Sequence, residues 1–558
     1  MGTARVPVDL IEDALRLEGQ NDGDTQEDIM ILDHKSMPIN AYDYVRKTFT
    51  RHPGTFRSLA ETPDEGAPFH RILALKERFQ IMEQRVLRHK VFAKPAFARG
   101  KGNYQQLTPI SGVRRAEGTV CVLGMLTQPH AGRFFLEDGS HSVELDLSTA
   151  KSTQGLFTEN CIILVEGGME GDILRAEVIA MPPVEERKET CRTFPALAVP
   201  THRHPYSDKE AQQLIERERK DVNTEMIVLS DVWLDRASVL RGLRLMLGKY
   251  DELCAAEERR LLFVFMGNFT SLPAARGYAR HRHAFAELAG LLEALPSLLE
   301  SSSFIFVPGP HDVAGSRGNV LPRNPLPDTL TADFKARIPA ASFTSSPCRV
   351  KFYSQDIVLH REDLCATLRR HSRRPDEESG AALASHAMQT VLKQGHLRPL
   401  PLHAGPINWG YDHALRLYPL PDVLLIGDRS EHFEFKVGDT HAANPGSFAA
   451  DLTFYTYCPA TRQLEACQCS VEDADADDAA RRVEGGTKKG KGKKDRRKRA
   501  KKAQVEGGVE GTPKDRQKVS KKRSKTTPMG GKETAELRGH VGGIESFFGP
   551  AHHKPILV

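Results

Sequence analysis

The chain has 558 residues, of which 39% are hydrophobic and 27% charged, with a formal net charge of +5. That length accommodates two or three domains with sizeable cores. No apolar run approaches the ~18 residues that a membrane span needs, and the acidic N-terminal stretch has no apolar core, so neither a span nor a secretion signal is expected.

The net charge hides a segregation. From Arg481 to Lys525 twenty Lys and Arg stand against five Asp and Glu, so the rest of the chain is acidic. Nine cysteines are scattered without a Cys-x-x-Cys pair. That argues against a structural zinc site and for reduced thiols in the cytosol or nucleus.

Residues 1–74 read as a poorly defined N-terminal region, with "VDLIEDALRLEG" as one short amphipathic helix. Residues 75–105 form a connecting segment on a predicted helix from Leu75 to Phe92, whose apolar stripe is Phe79, Met82, Val86 and Phe92. In 106–185 five short segments, "GTVCVLGML", "RFFLEDG", "SVELDL", "CIILVEGGME" and "DILRAEVIAM", are rich in β-formers and punctuated by turn residues. Five short strands with little room for helix suggest an OB-fold barrel. It shows no obvious aromatics interleaved with basic residues, so a structural or partner-binding role is expected of it.

Residues 186–470 alternate apolar strands with helices, as in an α/β domain. The strands "MIVLS", "LLFVFM", "FIFV" and "VLLIG" each run into a polar loop, the usual place for such a domain to display a site. A hairpin is predicted in "RVKFYSQDIVLHRED", a helix in "HAMQTVLKQGH" and two strands in "DLTFYTYCPATRQLEACQC". Residues 471–540 are acidic and then Lys/Gly-rich; they cannot bury enough apolar surface to fold alone and are predicted to be disordered.

The loops of the α/β domain follow the order of a calcineurin-like phosphoesterase, which they resemble. In that family Asp-x-His, Gly-Asp, Gly-Asn-His-Asp, a lone His and Gly-His-x-His hold two divalent metals that activate a hydroxide. Here "SDVW" keeps Asp231 but puts Trp233 at the histidine, and an indole N–H cannot ligate a metal. In "MGN", Asn268 replaces the bridging aspartate. In "PGPHD", His311 and Asp312 survive but Pro310 removes the asparagine. His396 in "KQGHL" matches the lone histidine, and Asp428 and Ser430 in "IGDRS" replace the last two. Asp231 and His396 alone cannot hold two metals, so an inactive centre with no metal and no cofactor is expected.

An OB-fold followed by an inactivated phosphoesterase domain is similar to the B-subunit family of eukaryotic replicative DNA polymerases. The segments "RFQIMEQRVLRHKVF", "VLSDVWLD", "FVFMGNFTS", "FVPGPHD", "SSPCRVKFYSQDIVLHREDL", "VLKQGHLRPLPL", "INWGYDHALRLYPLPDVLLIGD" and "NPGSF" look like those of its epsilon branch. The resemblance implies a non-catalytic nuclear subunit. It would bind the C-terminal domain of the polymerase's catalytic subunit, tie it to replicative helicase components and meet DNA through the complex. Two other readings stay open on the residues: an active metal-dependent phosphoesterase or nuclease, and a stand-alone OB-fold nucleic-acid-binding protein.

The tail adds two expectations. Lys488, Lys489, Lys493, Lys494, Arg496, Arg497, Lys498 and Arg499 form a nuclear-import signal that would also attract DNA phosphates without sequence preference. In 541–558, Ile544, Phe547 and Phe548 fall at i, i+3 and i+4, on one face of a helical turn. The spacing resembles the motif that binds the sliding clamp, with Val541 where a glutamine is usual.

Overall fold

A computed structural model of the chain describes residues 29–51, 67–93, 104–198, 208–273, 278–313, 320–373 and 380–469. The helix expected in "VDLIEDALRLEG", the acidic and basic tail and the clamp-type motif lie outside these residues.

The region expected to be poorly defined up to residue 74 contains regular structure. Strand β1 (Ile29–Leu32) pairs antiparallel with a strand more than 300 positions later, while β2 (Asn40–Asp43) and β3 (Thr48–Arg51) form a hairpin. Four-residue strands carry too little periodicity to stand out in sequence; their partners fix them. The following helix spans Ala67–Arg88 and so begins before Leu75. Its predicted stripe is correct: Phe79, Met82, Val86 and the trailing Phe92 pack on Cys121, Leu123, Ile162 and Leu164 of the barrel.

All five predicted barrel strands form. They are β4 (Val120–His130), β5 (Arg133–Glu137), β6 (Ser142–Asp146), β8 (Ile162–Glu170) and β9 (Ile173–Ala180), with a two-residue β7 (Lys151–Ser152) between β6 and β8. Their order is β6-β5-β4-β8-β9-β7, and a parallel β6–β9 pairing closes the barrel. Val122, Leu126, Leu136, Ile163, Val165 and Leu174 fill it.

The C-terminal half is a helix–sheet–sheet–helix sandwich. Its strands are β10 (Thr224–Ser230), β11 (Arg260–Met266), β12 (Ser302–Val307), β13 (Ala341–Phe343), β14 (Cys348–Phe352), β15 (Gln355–Arg361), β16 (Val423–Gly427), β17 (Phe433–Val437), β18 (Thr440–Asn444), β19 (Thr453–Cys458) and β20 (Gln463–Gln468). One sheet has the order β13-β12-β11-β10-β19-β20 and the other β1-β14-β15-β16-β18-β17. Because each sheet is covered on both faces, Met226–Leu229 of β10, Leu261–Met266 of β11 and Val423–Ile426 of β16 are unbroken apolar runs. Met226 and Val228 of β10 point to the opposite sheet, meeting a layer that includes Val350, Ile357 and Leu425. Ile227 and Leu229 point outward to helices Ala237–Ala256 and Tyr278–Glu293. Leu424 and Ile426 of β16 face helices Leu364–His371 and Gly380–Gln394 on the other flank.

The parallel register places the strand ends in a row. Ser230 of β10 is paired with Met266 of β11, and Met266 with Val307 of β12. In the second sheet Arg361, the last residue of β15, is paired with Gly427 of β16.

Candidate functional site

Five chain segments therefore converge at one edge of the sandwich: the loops after β10, β11, β12 and β16, and the end of β15. Asp231 leaves β10 at φ +53°, a left-handed conformation that a short hydrogen-bonding side chain tolerates. Its carboxylate is fully buried. Oδ1 accepts the Asn268 backbone N–H at 3.1 Å and the Asn268 Nδ2–H at 2.9 Å. It also accepts Arg361 Nη2–H at 2.7 Å.

Arg361 organises this edge. Its side chain is wholly buried and reaches across from the second sheet. Nε donates to the Gly267 carbonyl at 2.5 Å, and Nη1 donates to Asp363 Oδ1 at 2.8 Å and to the Gly427 carbonyl at 2.9 Å. One guanidinium thus ties the loops after β10, β11 and β16 to β15. Burial would drive a proton off it, but Asp231 and Asp363 hold it more firmly protonated than usual. Burial would likewise raise the Asp231 carboxyl; Arg361 overrides that and keeps it below the ordinary carboxylate range. Arg429 adds a second cation, with Nε 3.6 Å from both Asp231 Oδ2 and Asp363 Oδ2.

This packing leaves little room beside the guanidinium. A Cβ on Gly427 would stand 2.4 Å from Ser230 Oγ and 2.8 Å from Arg361 Cδ, and one on Gly267 would stand 1.9 Å from Asp312 Oδ2. A side chain at Gly267 would also meet the Gly309 backbone nitrogen at 2.5 Å, and one at Gly427 would displace Ser230 or Arg361.

The remaining predicted positions take structural partners. Asn268 Oδ1 accepts the His311 backbone N–H at 2.8 Å. Asp312 turns inward and accepts the N–H of Phe269 and of Gly309, each at 2.8 Å. The His311 ring takes Arg429 Nη2–H on Nδ1 at 3.0 Å; its pKa is lowered by partial burial and by Arg429, so it stays neutral. Pro310 and His311 line the cleft above. Trp233 is half-buried on the helix-covered side of its sheet, with the Arg236 guanidinium 5.8 Å from its ring centroid. Asp428 accepts the N–H of Cys365 and of Ser430, each at 2.9 Å. Asn444 braces that loop by accepting the Asp428 N–H at 3.0 Å and donating to the Ser430 carbonyl at 3.2 Å.

His396 requires a correction. The structure does not bring it into this cluster. Its Nε2 lies 3.3 Å from Asp412 Oδ1, and its Nδ1 accepts the Arg398 N–H at 3.0 Å. Burial and Arg78 push its pKa down to about 4. The strand whose end reaches Asp231 is β15, and the side chain it delivers is Arg361. Arg361 was not among the expected site residues, although "DIVLHRED" is, like the other four, an apolar strand running into a charged loop.

The donor set does not fit a metal pair. Asp231 is committed to Arg361 and Asn268, so its carboxylate already neutralises a buried cation. Among the described residues no group of three His, Cys, Asp or Glu side chains is placed to hold a metal ion.

Residues 226–435 match the family model for the B-subunit of DNA polymerase alpha/epsilon, and residues 68–183 match that for the OB-fold domain of DNA polymerase epsilon subunit 2-like proteins. The chain is similar to the DNA polymerase epsilon B-subunit of Arabidopsis thaliana, at 39% identity over 78% of this chain and 82% of that one. It is similar to the human DNA polymerase epsilon subunit 2, at 33% identity over 82% of this chain and 86% of that one.

Proposed function

The chain belongs to the B-subunit family of DNA polymerase epsilon, and on that premise we propose that it is a non-catalytic subunit whose phosphoesterase-like domain is a scaffold. The observation that carries this reading is the buried Arg361 guanidinium on Asp231. Hydrolysis of a phosphate ester needs an activated water or hydroxide and a carboxylate free to hold its metal or its proton. Here the carboxylate is neutralised from within, and the loops that could present ligands hydrogen-bond to one another.

As an accessory subunit it partners the catalytic subunit of the polymerase. We assign the contact to that subunit's C-terminal domain, with replicative helicase components as further partners and the nucleus as its compartment. The basic run Lys488–Lys502 supports both import and sequence-independent attraction to DNA. Ile544, Phe547 and Phe548 support a weak contact with the sliding clamp.

One co-expression experiment tests these assignments. The full chain is expected to co-purify with the catalytic subunit at one-to-one stoichiometry, without bound transition metal and without Mn²⁺-dependent nuclease activity. Phe547→Ala/Phe548→Ala should keep the catalytic subunit and lose the clamp. Stoichiometric metal, with activity abolished by Asp231→Ala, would overturn the scaffold reading.

A further inference from the structure

The inactivated centre has a cleft above it that the scaffold role does not use. It has a volume of about 830 Å³ and lies open to solvent between the loops after β12 and β16 and the helix Leu364–His371. That volume is in the range of small-molecule sites, roughly 300–1,000 Å³. Three arginines, Arg369, Arg370 and Arg429, line it together with His311 and Ser430.

The charges in the wall are unevenly satisfied. Glu362 is buried and paired with Arg323 and Arg398. Asp363 is held by Arg361 at 2.8 Å and by Arg429 at 3.6 Å. Asp428 spends its oxygens on the backbone N–H groups of Cys365 and Ser430. Every carboxylate of the cleft therefore has its partner inside the protein. Arg369 and Arg370 are exposed, and neither has a carboxylate partner among the described residues. Arg429 is 45% exposed and keeps donor capacity toward the cleft.

We propose that this cleft binds a phosphate monoester on a molecule of nucleotide size, without cleaving it. Guanidinium forks match phosphate oxygens in pairs, and a dianion is what two uncompensated arginines beside a third would hold. A long polyanion fits less well, because Asp363 and Asp428 stand in the same wall. The ester survives because Asp231, below the cleft, is committed to Arg361.

The test is calorimetric titration of the full-length chain with dAMP, inorganic phosphate and deoxyadenosine at fixed ionic strength. We expect saturable one-to-one binding of dAMP, weaker binding of phosphate and none of deoxyadenosine. Arg369→Ala/Arg370→Ala, at exposed positions that spare the fold, should weaken dAMP binding about tenfold or more. The basic tail is common to both proteins, so the difference reads the cleft alone. Absence of saturable dAMP binding would refute the site, and so would binding unchanged in the double variant, which would place it on the tail. A ³¹P spectrum of the mixture separates the two readings: dAMP bound and hydrolysed would overturn the scaffold assignment and leave the binding site standing.

Discussion

Arg361 shows how one side chain can take over what a metal centre does for a set of loops. A planar donor with five N–H groups reaches several acceptors at fixed angles, and here they belong to four different segments. Removing one partner of such a buried pair costs more than the pair contributes net, because a charge is left desolvated. Arg361→Met should therefore destabilise the protein by ~3–5 kcal/mol, seen as a lower urea midpoint. Arg361→Lys keeps the charge but not the fork and should recover only part of the loss. Equal stability of the methionine variant and wild type would mean that the guanidinium does not hold the loops together. Trp233, Asn268 and Pro310 were legible in sequence because each replaces a ligand after a recognisable strand. Arg361 was not, because a buried cation follows no ligand pattern and only its three-dimensional neighbours give it meaning.

At the scale of elements, the barrel and the sandwich are joined by side chains that act as backbone. Gln394, at the end of helix Gly380–Gln394, accepts the Ile162 N–H at 2.8 Å and donates to the Ile162 carbonyl at 2.7 Å. It completes the pairing of a buried barrel strand much as another strand would. Beside it Thr390 Oγ1 accepts the Leu156 N–H at 2.7 Å, and Thr158 Oγ1 donates to the Pro399 carbonyl at 2.6 Å. Gln394→Ala should leave a buried N–H and C=O unpaired and cost ~2–4 kcal/mol, with amide exchange at Ile162 accelerating before that of the barrel core. Unaltered exchange there would show that the joint is held by packing alone. The segment "LYPLPD" is an internal joint of the same kind: Leu417, Tyr418 and Leu420 are buried, and the Tyr418 hydroxyl meets Gln84, Arg88 and Glu185.

Across the whole molecule, burial of polar groups predicts a response to acid. His34, His396 and His413 have pKa values lowered to about 4, and His360 to about 3, each mainly by burial. In the unfolded chain these rings take up protons near pH 6.5, while in the folded chain they stay neutral to lower pH. Their contribution is complete above pH 6.5 and is lost as pH falls toward 4. Each removes roughly 1.4 kcal/mol of stability per pH unit over that window. Glu362, held down to about 2 because Arg323 and Arg398 outweigh its burial, contributes above its unfolded value and weakens only below about pH 4.5. Melting temperature should thus fall steeply between pH 6.5 and 4; a flat profile there would mean that these histidines are not neutral inside.

Residue order alone specifies the barrel, the apolar strands of the sandwich, the succession of the loops and the loss of several metal-ligand types. Those properties are local: alternation, turn residues and the donor atoms of one side chain can be read a few residues at a time. The assembled fold was needed to show that β1 completes a sheet whose other strands lie hundreds of residues away. It was needed to pair His396 with Asp412, outside the cluster. It was needed, too, to identify the cation at the centre as Arg361. Each of these depends on which distant segments are brought into contact and sealed from water, because burial and proximity set the worth of a charge, and neither is written in the order of the residues.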